Sequence, residues 1–167
     1  MNKDRIVWFG RYEGWLRMLA RGVRDGDCEC MAKAARLFDM MLPNRCVVVP
    51  MPSHYGVATA MRTVATELCK NSRRCLADPF RYFHDGLTCE PHESSYDQKK
   101  DGCFPSRPAM KWDASGIPPD NIMPREVWII DNVICTGVTA ASALDAVGEA
   151  WNPRVAALAL SQWRAVS

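Results

Sequence analysis

The sequence predicts an α/β fold: a mainly parallel sheet flanked by helices, with a small hood or flexible-loop region, built as a single domain over residues 1–167. Three observations lead there. The runs Cys46–Val49, Val127–Ile130 and Val155–Leu160 are apolar without alternation, the mark of strands buried on both faces of a sheet. The first two each pass through a loop into a stretch of helical period. Strands alternating with helices in this way pack as a parallel sheet covered by helices.

The elements follow in order. From Val7 to Leu42 the pattern is mostly helical, with apolar residues at Trp15, Leu16, Leu19 and Val23 and then at Met31, Ala34, Ala35, Phe38 and Met41. Asp25-Gly26-Asp27 divides this stretch into two helices. The strand Cys46–Val49 ends at the rigid turn Pro50-Met51-Pro52. Val57 to Cys69 forms a helix whose stripe is Val57, Ala60, Met61, Val64, Ala65 and Leu68. Cys75 to Tyr82 holds a further short strand. Residues 84–124 form a long polar stretch of recurring Pro, Gly, Ser and Asp, and a loop of that length is usually functional or disordered. Val127–Ile130 is then a strand, Asp131 to Thr139 a loop, and Ala140 to Trp151 a helix with Ala140, Leu144, Val147 and Trp151 facing inward. Pro153 stops that helix before the strand Val155–Leu160.

Composition narrows the function classes. With 48% hydrophobic and 24% charged residues the chain resembles ordinary globular domains, which argues against disorder and against a coiled coil. A net charge of +2, with only short basic pairs at Arg73-Arg74 and Lys99-Lys100, argues against nucleic acid and anionic membrane as partners. No apolar run reaches the roughly 20 residues of a membrane span, and Met1 to Arg5 is not followed by a signal-peptide core, so a cytoplasmic location is expected. The eight cysteines show no C-x-x-C; their closest pair is Cys28-x-Cys30, with no His pair nearby. Free thiols are expected, with Cys46 and Cys135 as small core fillers, and no metal is assigned to protein ligands. His84 and His92 lack metal-ligand spacing and read as surface histidines. The six tryptophans read as core or interface, with Tyr12 and Trp15 covering a helix face.

Chemistry concentrates after the strand at Val127. Ligands in open α/β sheets sit at the carboxyl ends of strands, which places the loops Pro50 to Gly56 and Asp131 to Thr139 where a ligand would lie. Cys135-Thr136-Gly137-Val138-Thr139 offers successive backbone N–H groups, two hydroxyls, a glycine permitting close approach and the start of a helix, a combination suited to phosphate. Just before it, Asp131 and Asn132 stand where polar side chains can hydrogen-bond vicinal ribose hydroxyls. The competing reading makes Thr139 a helix N-cap, Gly137 a turn residue and Asp131 a solvated strand end.

Residues 127–139, Val-Trp-Ile-Ile-Asp-Asn-Val-Ile-Cys-Thr-Gly-Val-Thr, resemble the signature of type I phosphoribosyltransferases: four apolar residues, two acidic ones, then a Thr-Gly-x-Thr phosphate loop. Together with Phe9-Gly-Arg-Tyr-Glu-Gly-Trp-Leu-Arg and Val49-Pro-Met-Pro-Ser-His54, the order is similar to that of the ComF-type branch, without its N-terminal zinc module. The resemblance implies a type I phosphoribosyltransferase-like fold. Thr136 to Thr139 would hold the 5-phosphate, Asp131 and Asn132 the ribose hydroxyls, and Met51, Pro52, Ser53 and His54 the pyrophosphate. Substrate-bridged Mg2+ is the implied cofactor. A homodimer, with the N-terminal aromatic helices as interface, is the implied assembly. Asn132 replaces the second acid of the pattern, Cys135 stands where Thr or Ala is common, and no Arg or Lys adjoins the pyrophosphate loop.

The implied activity is transfer of phosphoribosyl from phosphoribosyl pyrophosphate to a nitrogen acceptor, with pyrophosphate released. Gln98 to Phe104 is the candidate closing loop, with Lys99 or Lys100 meeting the pyrophosphate as catalytic cations; the alternative is an ordinary surface loop with a solvated charge pair. Two rivals stand beside the transferase. One is a non-catalytic sensor of a nucleoside monophosphate or phosphoribosyl pyrophosphate, or a competence-related partner protein of the same fold. The other is a structural domain that has lost the site.

Overall fold

In the computed structural model, which describes residues 3–56, 59–71, 80–94, 98, 106–120, 123 and 125–161, two sheets account for every described strand. In chain order the strands are β1 (Ile6–Arg11), β2 (Arg45–Pro50), β3 (Phe80–Phe83), β4 (Leu87–Cys89), β5 (Met110–Trp112), β6 (Val127–Ile134) and β7 (Arg154–Leu160). The helices are α1 (Gly14–Arg24), α2 (Cys28–Met41), α3 (Thr59–Asn71) and α4 (Val138–Val147). The large sheet has the order β1-β7-β6-β2-β3, and every neighbouring pair is parallel. The expected α/β architecture with a parallel sheet is therefore present. None of the described helices is long and apolar enough to cross a membrane.

Burial explains the sequence of the central strands. Val47–Val49, Val127, Ile129, Ile130 and Val155–Ala159 are inaccessible because helices cover both faces, so alternation with polar residues would place polar groups in the core. On one face α1, α2 and α3 pack through Leu16, Leu19, Val23, Phe38, Val64 and Leu68 against Val48, Ile130 and Leu158. On the other, α4 packs through Ala140, Ala143, Leu144 and Val147 against Val47, Val49, Ile129 and Val155. The antiparallel pair β4–β5 lies on this second face, contributing Leu87, Met110 and Trp112. Gly26 (φ +83°) and the Asp27 carboxylate, which accepts from Cys30 N–H at 2.7 Å, start α2 where the sequence predicts the break.

Four expectations need correction. Val7–Arg11, read as the start of a helical stretch, belongs to the edge strand β1; a segment of six residues carries too few periods to separate helix from strand, and its β-branched and aromatic content was the better guide. The polar stretch 84–124 contains β4 and β5, each of three residues and so too short to leave a periodic trace. β6 does not stop at Ile130 but runs to Ile134, and α4 begins at Val138. α4 also ends at Val147, where Gly148 takes φ +77°; Trp151 falls in a short 3-10 turn and packs edge-on against Trp112 at 6.0 Å. The expected strand from Cys75 lies in part outside the described residues; its described end is β3.

Candidate functional site at the carboxyl end of β6

The chain path marks a special point on the sheet edge. From β2 the chain crosses by α3 to β3 on the outer side, whereas from β6 it crosses by α4 to β7 in the opposite direction. α3 and α4 lie on opposite faces, so the adjacent carboxyl ends of β2 and β6 diverge at a topological switch point, the usual ligand crevice of open α/β sheets. β6 also outruns its neighbour. The register pairs Pro50 with Ile130, after which Met51 donates its N–H to Ile130 O (2.9 Å) and β2 is over, while β6 continues for four residues along β7. Asp131 is the first residue of that overhang.

Beyond the overhang lies a concavity of about 160 Å3 lined by Asp131, Val133, Ile134, Cys135, Thr136, Gly137, Thr139 and Ala140. Five of the expected site residues, Asp131, Cys135, Thr136, Gly137 and Thr139, thus share one wall. Gly137 adopts φ +78° and is the N-cap of α4, where it brings no side chain to cap the helix. A left-handed residue at that turn is what lets the chain reverse from strand into helix within three residues. The Thr136 hydroxyl accepts from Val138 N–H at 3.4 Å, a long contact, and Ala141 donates to Gly137 O at 2.8 Å to open the helical ladder. Val138 itself is the first helical residue and contributes backbone rather than lining. Val133, Ile134 and Ala140 were not anticipated; continuing the strand period past Asp131 would have found Val133.

Asp131 and Asn132 do not act as a pair. Successive strand residues point to opposite faces. Asp131 faces the concavity, whereas Asn132 turns to the α1 side and donates from Nδ2 to Ala20 O at 2.7 Å. The Asn132 Oδ1 is buried without a hydrogen-bond partner among the described residues. Its backbone N–H, by contrast, donates to the Asp131 carboxylate at 2.7 Å.

Burial pushes the Asp131 carboxyl up from 3.8 to about 6, against the smaller opposing pull of the Asn132 N–H. The residue is half-buried in the wall of the concavity, and loss of water at its carboxyl is the larger effect. The sign of the linkage follows. The folded state holds this proton more tightly than the unfolded chain, so Asp131 makes stability fall as pH rises from about 4 to about 6, with no further loss above. Asp131→Asn is expected to remove that fall and to leave the ligand-free protein more stable than the wild type at pH 7. Urea midpoints from pH 4 to 8 check this; equal pH slopes in both proteins would mean that Asp131 ionises normally.

The Met51–His54 segment lies at the end of β2 but not in the wall of the concavity. Met51 and Pro52 are buried, so they can offer a ligand only backbone. Ser53 and His54 form a turn closed by Gly56 N–H to Ser53 O (2.8 Å), with Tyr55 N–H to Ser53 Oγ at 3.2 Å. This turn is fixed to the β4 strand: His92 N–H donates to His54 O at 2.9 Å, and Gly56, at φ +86°, sits where a Cβ would come within 2.8 Å of Cys89 O. The small sheet and the residues just after β4 therefore support the Met51–Gly56 turn.

The lesser expectations resolve simply. His84 is a structural pin, its Nε2 2.6 Å from Asp113 O and its ring against Trp112. His92 Nδ1 lies 3.4 Å from Cys89 Sγ, and no group of three metal-ligating side chains occurs among the described residues. Cys46 is buried with its thiol pushed up to about 12 by desolvation, an inert core filler; Cys135 is half-buried and lines the concavity instead. Lys99 and Lys100 lie outside the described residues. Comparison with protein-family models finds no match, and comparison with curated proteins finds none.

Proposed function

We propose that the concavity at the end of β6 binds a ribose 5-phosphate group, and that the chain is a phosphoribosyltransferase-like protein taking phosphoribosyl pyrophosphate or a nucleoside monophosphate. The observation that carries this reading is the meeting of a carboxylate, Asp131, with the Thr136–Thr139 phosphate loop in one concavity at the switch point. Loop amides, the Thr136 hydroxyl and the start of α4 suit a phosphate monoester; the carboxylate suits vicinal hydroxyls. The volume agrees in scale. About 160 Å3 lies below the roughly 300 Å3 and upward of drug-sized ligand sites, and suits a sugar phosphate whose remainder projects outward.

For turnover, a nitrogen acceptor would displace pyrophosphate from C1: the C–N bond forms, the C–O bond to pyrophosphate breaks, and the acceptor's proton passes to solvent. The chain's part is positioning and electrostatics. Asp131, once ionised, holds the ribose hydroxyls beneath the carbon that gains positive charge. The Met51–His54 backbone, held by β4, faces the leaving group. The wall supplies one carboxylate and hydroxyl oxygens, too few for an all-protein magnesium cage but compatible with an ion carried mainly by substrate phosphates and water, which would neutralise the pyrophosphate.

One observation favours the second reading, a binding protein without turnover. Asn132 is neither charged nor turned to the ribose, since its amide is engaged by Ala20 O. The transferase would then lack the second carboxylate of the pattern in both charge and position, while the phosphate cradle would remain.

Thermal melting with ribose 5-phosphate, nucleoside monophosphates and phosphoribosyl pyrophosphate, each with and without Mg2+, tests the site. A ligand at 100 times its Kd stabilises by about 2.7 kcal/mol, or roughly 5–10 °C for a domain of this size. Thr136→Ala is expected to weaken binding about tenfold or more, the worth of a hydrogen bond to a charged group. No shift with any of the three sinks both readings, and a shift without pyrophosphate release across candidate bases leaves the sensor.

A further inference from the structure

We propose that Asn132 is the positioning residue for Asp131: its side-chain amide, anchored on Ala20 O of α1, holds in place the peptide N–H that supports the Asp131 carboxylate in the wall of the concavity. The need for such an anchor comes from the sheet. β2 pairs with β6 only as far as Pro50↔Ile130, and Met51 N–H to Ile130 O (2.9 Å) closes that pairing. The overhang then rests on β7, whose register takes Asp131, Val133 and Ile134 but passes over Asn132. A peptide near the end of a strand, with a neighbour on one side only, opens readily unless a side chain holds it.

Asn132 is held from the helix layer instead. Its Nδ2 donates to Ala20 O at 2.7 Å and its own N–H donates to the Asp131 carboxylate at 2.7 Å, so one residue links α1 to the acid. Asp131, Val133 and Ile134 line the concavity, and Asn132 between them does not. The link carries a cost: Asn132 Oδ1 is buried with no hydrogen-bond partner among the described residues, whereas an apolar side chain there would bury no unpaired oxygen. Ala20 lies within α1, where the N–H four residues on can serve its carbonyl, so the helix does not depend on the amide. The peptide beside Asp131 does.

The surroundings leave this N–H with the task of supporting the charged acid. Among the described residues no Lys, Arg or His lines the concavity: α4 contributes Thr139 and Ala140, and Cys135 is the other titratable group in the wall. β7 sets Ala157 beside Asp131, and α1 meets the sheet through the apolar Leu16, Leu19 and Val23. Burial drives the Asp131 carboxyl up to about 6, and the Asn132 N–H is the contact that opposes it. A hydrogen bond to the charged form is what keeps a desolvated carboxylate ionised. A loosened peptide therefore leaves the carboxyl protonated to higher pH, and a protonated carboxyl offers vicinal hydroxyls less acceptor capacity.

The carboxyl carbon of Asp131, followed by NMR from pH 4 to 9 in the full chain without ligand or magnesium, tests the proposal directly; the consequence for ribose 5-phosphate rests on the ribose-phosphate reading of the concavity. In the wild type the midpoint is expected at about 6, and in Asn132→Ala at about 7. Calorimetry is expected to find ribose 5-phosphate bound about threefold more weakly by the variant near pH 6.5, with the gap closing by about pH 8.5, where both carboxyls are ionised. The ligand phosphate, which titrates near about 6, is common to both proteins and cancels. Asn132→Ser, one bond shorter and so out of reach of Ala20 O, serves should Asn132→Ala fail to fold. An unchanged Asp131 midpoint in a folded variant overturns the proposal, and so does a loss of affinity equal at every pH, which would make Asn132 a plain packing residue. A wild type that binds no ribose 5-phosphate sinks the ribose-phosphate reading instead, and the carboxyl midpoints alone then decide the role of Asn132.

Discussion

Arg81→Ala is expected to cost about 3–5 kcal/mol of folding stability, the range for breaking a buried, hydrogen-bonded charge arrangement. The reason lies less in charge than in carbonyls. Arg81 is almost inaccessible, and its guanidinium donates to Pro43 O (2.9 Å), Leu42 O (2.9 Å) and Asp39 O (3.1 Å), as well as to the Asp39 carboxylate. Those three carbonyls are where α2 ends and turns into β2, and helix-end carbonyls have no partners within their own helix. Truncation leaves Leu42 O buried without this donor and Asp39 O part-buried without it, while Pro43 O keeps only the Cys46 thiol; an unpaired carbonyl costs about 1–3 kcal/mol where water cannot reach. Against a total stability of about 5–15 kcal/mol for a typical domain, the loss is large. Asp39→Asn is expected to cost only about 0–1 kcal/mol, because Asp39 is 54% exposed and the three backbone bonds survive. Urea midpoints at unchanged m-value measure both; equal losses would show that the ion pair, not the carbonyl clamp, carries the effect.

Arg81 also shows where sequence reading stops. Its partners lie some forty residues earlier, and nothing in Phe80-Arg81-Tyr82-Phe83 distinguishes an arginine that clamps a helix end from one in solvent. What could be read were features with local causes: the double-sided apolar strands, the Asp25-Gly26-Asp27 break, and the Thr136-Gly137-x-Thr139 turn. β1 was missed because six residues do not resolve period 2 from period 3.6, and β4 and β5 because three residues resolve nothing.

The candidate site divides along the same line. That Asp131 and the Thr136–Thr139 turn share a wall follows from adjacency in sequence, so the motif predicts it. That Asn132 does not join them follows from strand alternation and from Ala20, a residue more than a hundred positions away. Placing the end of β6 at Ile130 hid this. A strand that continues past Asp131-Asn132 must send the two side chains to opposite faces, whereas a loop could have sent both to the ribose. The tie to α1 also bears on repair of the motif: Asn132→Asp would set a carboxylate against the Ala20 carbonyl rather than supply a second acid to the site.

Gly137→Val is expected to abolish ligand-induced stabilisation, a loss of at least about a hundredfold in affinity, on top of about 1–3 kcal/mol of strain in the free protein. Two effects combine. At φ +78° a β-branched residue is a backbone outlier, so the strand-to-helix reversal must distort. The new side chain also takes its space from the wall of a concavity of about 160 Å3, where a phosphate would need the loop amides at hydrogen-bond distance. Gly137→Asn separates the two, because asparagine tolerates the left-handed region while still carrying a side chain. It is expected to fold within about 1 kcal/mol of the wild type by urea denaturation and yet lose most of the thermal shift with ribose 5-phosphate. A folded Gly137→Asn protein that binds as the wild type does would mean that the phosphate does not approach the turn closely. The start of α4 would then be an ordinary helix junction, and Asp131 would have to be explained without a phosphate beside it.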